Sequence, residues 1–260
     1  MKVVNRMGES MEVSYDEIKK RITRLTTDDD ALQLGALDID SVVIHTINGM
    51  YDGISTSELD ELSARLCASL QSVHHAYDTL AARILVSNMA KCVRAQMGPD
   101  VPSNSFAAKV AYVARHAEST LDERFVAFVA RHADALDGIV RYERDATQHS
   151  YFSLRTLVRS YLMRVGSLCI ESPQDMWLRV AVAIHMPHAA DAAADAADAL
   201  ARIRACYDAM SLGDYTHATP TLFNAGMRTQ QCSSCFATIG SGRAAARTSG
   251  APPAGCRPAP

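Results

Sequence analysis

Thr216-His-Ala-Thr-Pro-Thr-Leu-Phe-Asn-Ala-Gly226, followed shortly by Gln231-Cys-Ser-Ser-Cys-Phe236, is the most informative stretch of this chain. A proline-fixed turn, an Asn-Ala-Gly bend and a Ser-Ser-Cys run within so few residues suit a site that binds a polar ligand beside a thiol. Taken alone, Cys235 reads as a small buried hydrophobe, and Cys232 with Cys235 as a zinc half-site or a thioredoxin-like pair. Zinc needs further Cys or His at ligand spacing, and Cys256 lies in a low-complexity run. A thioredoxin-like pair opens a helix after a strand, whereas Phe236 onward has no helical face.

Upstream of this stretch, composition sets the class. The chain has 260 residues, is 48% hydrophobic and is rich in Ala, Leu and Val, which favours a mostly helical protein. A net charge of -3 offers no basic field for a nucleic-acid backbone, so no nucleic-acid partner is expected. The amino terminus lacks a long apolar leader and no run is long enough to cross a bilayer; no membrane partner and a cytoplasmic location are expected. Seven cysteines, an odd number with several inside helical patterns, fit reduced thiols.

The first 95 residues form a compact pattern. Val3 and Val4, a turn around Gly8, and Met11 and Val13 predict a β-hairpin. Ser14 and Glu17 form a capping box before a helix whose face carries Ile18, Ile22 and Leu25. After an Asp-rich loop, a second helix carries Val43, Ile44, Ile47 and Met50, with Gly53 as its left-handed end. Ser55 or Thr56 caps a third helix with Leu59, Leu62, Leu66 and Leu70, and a fourth shows Tyr77, Leu80, Ile84 and Leu85. Two strands and four helices make one unit, bounded by the breakers of Met97-Gly-Pro-Asp-Val-Pro. Beyond it, Phe125 to Val129 is helical, Ile139 to Ser150 reads as a polar loop, and residues 189–210 form an Ala-rich helix with a packing stripe from Ala196 to Met210. From Gly240 a Gly, Ala, Arg and Pro run has no apolar periodicity and is expected to be disordered.

Two stretches resemble one family in the correct order. Residues 216–236 resemble the large subunit of class I ribonucleotide reductase where one of its two reducing cysteines enters the catalytic barrel. Residues 1–95 resemble the ATP-cone of the same family, through Arg6 and Gly8, Tyr51-Asp-Gly-Ile-Ser-Thr56 with Asp60, and Leu80-Ala-Ala-Arg-Ile84 leading to Asn88 and Lys91. Tyr151 to Leu162 and Pro173 to His185 resemble the segments that follow the cone.

The resemblance implies an α+β, mostly helical chain: an ATP-cone over 1–95, a helical domain over 96–215, the first strand of a truncated ten-stranded α/β barrel over 216–239, and a tail over 240–260. It implies ATP or dATP as allosteric effector. Arg6 and Lys91 meet phosphate, Thr56 and Asp60 the nucleotide, and Val13 and Tyr15 line the pocket. Singly, these residues read as surface cations, helix-start residues and ordinary core; only their joint order carries the reading. Asn5 and Glu17 stand where the family usually or often has Lys, and two lost charge-assisted bonds weaken a triphosphate site by about 1 to 3 kcal/mol each. In the reductase part, Cys235 matches a redox thiol, and Thr219 and Ser234 match substrate-holding positions. The family's chemistry removes the 3'-hydrogen with a thiyl radical, expels the 2'-OH as water, and closes two thiols to a disulfide. It needs no metal in this subunit, a radical-generating small subunit, thioredoxin or glutaredoxin as reductant, and a homo-oligomer. The family's radical-forming cysteine and second reducing cysteine follow later in the chain, so these 260 residues alone are expected to be inactive, and the change of text at Gly240 points to a frameshift, an unspliced junction or a truncated gene. The rival readings are a stand-alone ATP/dATP-binding regulatory module, which the Ser234-Cys235 segment disfavours, and a degenerate fragment.

Overall fold

The computed structural model describes residues 2–26, 37–98, 101–116, 120–187 and 196–235. The low-complexity run from Gly240, and Cys256 within it, lie outside the described residues.

The amino-terminal unit begins with β1 (Lys2–Val4) and β2 (Ser10–Glu12), paired antiparallel with Val3 opposite Met11. The turn between them is built by Asn5, whose side-chain oxygen accepts from the amides of Met7 and Glu9, each at 2.9 Å. Gly8, at φ 84°, supplies the left-handed residue the turn requires. Four helices follow: α1 (Tyr15–Thr23), α2 (Ile39–Asn48), α3 (Thr56–Ser69) and α4 (Ala76–Met97). The expected capping box of Ser14 with Glu17 is present on α1, and Ser55, one of the two caps expected for α3, forms a second box with Glu58.

Three details differ from the sequence expectation. A third strand, β3 (Ile54–Ser55), pairs parallel to β1, too short to give a periodic signal. Helix α2 ends at Gly49, while Gly53, at φ 84°, turns the chain into β3. Ile44 is 49% exposed, since Val42, Val43 and Thr46 form the buried face of α2.

The carboxy-terminal part is helical: α5 (Phe106–His116), α6 (Glu123–Arg131), α7 (Ala133–Asp137), α8 (Tyr151–Ser160), α9 (Pro173–His185), α10 (Ala196–Ser211) and α11 (Thr219–Asn224), with a small hairpin of β4 (Arg164–Val165) and β5 (Leu168–Cys169). The expected polar loop before α8 contains a 3-10 helix, Tyr142–Ala146, and buries Ile139, Val140 and Asp145. The burial is set by packing against α4 and α9 rather than by a local face, so no periodicity announced it. On α10 the stripe Ile203, Tyr207 and Met210 is buried as expected, while Ala196 is exposed and Ala199 takes its place.

Helix α4 links two cores. Its first half places Tyr77, Leu80 and Ile84 in the amino-terminal core with Val3, Ile18, Ile22 and Leu59. Its end places Val93 and Met97 in the larger core formed around Phe106, Phe125, Trp177 and Tyr207. Between them, Ala82 and Leu85 meet Leu154 of α8.

The expected barrel strand over 216–239 is corrected over the described part of that range. Residues 219–224 are helix α11, and residues 225–235 hold no strand, only an isolated bridge from Met227 to Leu121. Pro220 in the first turn fits a helix start, because its ring presets a helical φ and the amide it lacks has no partner there. The alternation that would put Cys232 and Cys235 on opposite faces therefore has no strand to rest on; both thiols are free and exposed.

Candidate functional site

Between the hairpin, α1, α3 and the end of α4 lies a cavity of about 350 Å³, within the usual size range for small-molecule sites. The hairpin contributes Asn5, Arg6 and Val13, α1 contributes Glu17 and Arg21, α3 contributes Thr56 and Asp60, and α4 contributes Lys91. Five of the six residues expected to hold a nucleotide thus share one cavity: Arg6, Val13, Thr56, Asp60 and Lys91. Tyr15 is not among its lining residues; its hydroxyl donates to Asp40, which also pairs with Lys19 at 2.6 Å.

Asp60 is the centre of the site. It is 2% exposed, a position a carboxylate tolerates only when its charge is answered. Arg21 Nη1 reaches Oδ1 at 2.9 Å, and Arg6 Nη2 and Lys91 Nζ reach Oδ2 at 2.8 and 3.6 Å. Three cations face the carboxylates of Asp60 and Glu17, which leaves an excess of one positive charge on the walls. Arg6 is held further by Thr56 Oγ1 at 3.3 Å, Asn88 Oδ1 at 2.5 Å and the Cys92 sulfur at 3.5 Å. Burial works against its charge, and the bonds to Cys92 and Asp60 outweigh it, so its pKa lies above the usual arginine value. Burial lowers the pKa of Lys91 and of Arg21, opposed by Asp60; Arg6 lowers both, and Arg21 lowers Lys91. Charged groups held apart from bulk water by their neighbours, with one anion shared among them, make a site that gains by admitting a further anion.

Sequence reasoning missed Arg21 and Ser57, and named Asn88 without giving it a contact. Arg21 carried a signal: it lies between Ile18 and Ile22 on the buried side of α1, where an uncompensated cation is out of place. Ser57 donates to Asn88 at 3.1 Å, a contact across α3 and α4 that no local pattern reveals.

The second group is assembled around α11. Thr219 Oγ1 lies 3.1 Å from the Tyr161 hydroxyl, and the Tyr161 ring stacks on Phe223 with centroids 4.7 Å apart. Ser234 Oγ lies 3.9 Å from Cys235 Sγ. The segment carrying the thiols is tied to α11 by Thr221 Oγ1, which donates to the Cys232 carbonyl at 3.1 Å, and by Asn224 Nδ2, which donates to the Gln231 carbonyl at 2.7 Å. Thr221 and Asn224 thus position the thiol segment, a role the sequence did not suggest for Thr221. Beneath them Arg179, fully buried, pairs with Glu171 at 2.6 Å and donates to the carbonyls of Ala225 and Leu222 at 2.7 and 3.0 Å. Gly226 lies at φ 80°, and a Cβ there would stand 3.3 Å from Arg179 and Phe125. Cys67 and Cys169 are chemically quiet, since burial pushes each up to about 12. Among the described residues no group of three or more His, Cys, Asp or Glu is placed to hold a metal, and no helix is long and apolar enough to cross a membrane.

Comparison with known proteins agrees with this division. The ATP cone domain family matches residues 1–92, and the ribonucleotide reductase all-alpha domain family matches residues 147–230. The ribonucleoside-diphosphate reductase large chain 2 of Saccharomyces cerevisiae is 37% identical over 236 residues, covering 91% of this chain and 25% of the yeast protein. The ribonucleoside-diphosphate reductase large subunits of Plasmodium falciparum (isolate Dd2) and Caenorhabditis elegans are 37% and 36% identical, over 91% and 90% of this chain and 27% and 28% of their own lengths. The chain spans about a quarter of the length of the curated relatives it matches.

Proposed function

Because the chain belongs to the ribonucleotide reductase large-subunit family across its ATP cone and all-alpha regions, we propose that it is the amino-terminal portion of a ribonucleoside-diphosphate reductase whose cone binds ATP or dATP as allosteric effector. The observation that carries the effector reading is the cavity in which Arg6, Arg21 and Lys91 converge on the single buried carboxylate of Asp60. In this reading the triphosphate takes the excess positive charge and draws Lys91, the longest of the three contacts, away from Asp60. Thr56 and Val13 then face sugar and base. Calorimetry of the 260-residue chain with ATP and dATP tests this. Binding is expected, and Lys91→Ala should weaken it by about tenfold, the size of one charge-assisted bond. Unchanged affinity in that variant would place the nucleotide elsewhere.

The division into a cone over 1–95 and a helical domain over 96–215 belongs to the same reading, with α4 as the spine shared by the two and with α11 and the thiol segment following them. In the complete enzyme a ribonucleoside diphosphate is reduced to its 2'-deoxy form, with Cys235 as one thiol of the redox pair and Thr219 and Ser234 beside the substrate. The complete enzyme works with a radical-generating small subunit, a thioredoxin or glutaredoxin and further copies of itself, in the cytoplasm. The 260 residues alone are expected to give no deoxynucleotide. In a chain continued in the family's frame, Cys235→Ser should abolish single-turnover reduction while Cys232→Ser leaves it nearly intact. The opposite ranking would overturn the assignment of the thiol. The stand-alone regulatory module is the weaker alternative, because the thiol segment is built into the fold through Thr221, Asn224 and Arg179.

A further inference from the structure

A second cationic concavity, of about 580 Å³, lies where the amino-terminal unit meets the helical part. Its walls include Phe152, Arg155, Thr156 and Arg159 of α8, Arg164 of β4 and Glu61 of α3. The four α8 residues recur at spacings of three, one and three, which places them on one helical face, and all four are exposed. A solvent-facing stripe of this kind has no part in either core.

The charges do not cancel. Glu61 pairs with Arg155 at 2.7 Å and is the single carboxylate on the walls, against three guanidinium groups. Arg164 spends two donors on the carbonyls of Ser167 and Val158, at 2.7 and 2.5 Å, which fixes its plane and leaves its charge unanswered. The Arg159 side chain has no hydrogen-bond or ion-pair partner among the described residues. The walls therefore carry two positive charges in excess, on groups whose planar forks match the oxygens of a phosphate. Phe152, 79% exposed beside them, offers an apolar ring face that no protein group covers.

We propose that this concavity is a second anion site, separate from the effector cavity, that takes a phosphate-bearing small molecule. The excess of two charges matches the charge of a phosphate or pyrophosphate group, and the cavity size suits a small ligand rather than a flat protein interface. The Arg155–Glu61 pair sets the occupancy: Glu61 competes with the ligand for Arg155, so ligand entry loosens a contact between α8 and α3. Because Asp60 of the effector cavity precedes Glu61 on α3, the two sites share one helix.

The test is titration of the 260-residue chain with inorganic pyrophosphate, followed by calorimetry, in the wild type, Arg159→Glu and Glu61→Gln. Neither residue lines the effector cavity, so a response to both variants cannot come from that site. Arg159→Glu is expected to weaken pyrophosphate binding by about tenfold or more, and Glu61→Gln to strengthen it severalfold by releasing Arg155. Circular dichroism of each variant confirms that the chain is folded. ATP binding measured in parallel reports on the effector cavity separately. Pyrophosphate affinity unchanged in both variants would overturn the proposal. So would binding of hexaglutamate that depends on Arg159 while pyrophosphate fails to bind, because the surface would then serve an acidic protein segment.

Discussion

Asn5 and Glu17, the two positions where the resemblance leads one to expect lysine, each make a backbone contact. Asn5 closes the hairpin turn through two amides, and its side-chain amide donates to Glu9 at 2.9 Å. Glu17 completes the capping box of α1 by accepting from the Ser14 amide at 3.0 Å. Both also line the cavity proposed for the effector, so position and charge are in tension there. Asn5→Lys with Glu17→Lys is therefore expected to strengthen ATP binding while lowering stability by about 1 kcal/mol for each lost turn or cap. Calorimetry and thermal melting of the same double variant measure the two effects. A gain in affinity with no loss of stability would show that neither side chain supports the backbone.

Among the elements, the short helix α11 and the Asn224-Ala-Gly226 bend after it owe their shape to α9. The Arg179 guanidinium holds the carbonyls of Leu222 and Ala225 while its charge is answered by Glu171, itself 2% exposed. Removing it leaves a buried carboxylate without its cation, so Arg179→Ala should cost about 3 to 5 kcal/mol. Gly226→Ala meets both a left-handed φ and the Arg179 and Phe125 side chains at 3.3 Å, and should cost about 1 to 3 kcal/mol. Denaturant unfolding of both variants gives the ranking, and a larger loss at Gly226 than at Arg179 would contradict it. The Asn-Ala-Gly bend, read in the sequence as part of a ligand site, is in the structure an anchor for the thiol segment. What the sequence could not supply was Arg179, 47 positions before Gly226 and hidden on a helix whose apolar periodicity masked it.

Across the whole molecule, a buried polar node joins α5, the 3-10 helix and the start of α9. Lys109 pairs with Asp175 at 2.6 Å, and the Tyr142 hydroxyl donates to the same carboxylate at 2.6 Å. Asp145 accepts from the Gln174 amide at 3.1 Å. Burial, with the charge of Asp175 added, pushes Asp145 up to about 7. A carboxyl raised in this way stays protonated in the folded state while its unfolded counterpart ionises near pH 4. Its contribution to stability is therefore fully present below about pH 4 and is lost as pH rises to about 7. Thermal melting of Asp145→Asn should show a variant more stable than wild type at pH 8, by about 1 to 4 kcal/mol, with the difference shrinking toward pH 5. An equal difference at both pH values would mean that Asp145 does not titrate with folding.

The sequence by itself determined most elements of the first unit, and its identity. The capping box at Ser14, the cap at Ser55, the apolar faces of α1 and α4, and the hairpin around Gly8 are local signals, written within a turn or two of the chain, whereas α3 buries Asp60, Ser63, Ala64 and Cys67 beside Leu59 in place of the expected leucine row. The sequence also picked out, by order alone, five residues that share one cavity. Only the tertiary structure decided the rest: that Arg21 completes the cation set around Asp60, that Tyr15 turns to Asp40, and that the stretch after Ala218 coils into α11 instead of extending. These depend on groups tens of residues apart, where the cost of burying a charge selects a partner. No periodicity along the chain records that choice.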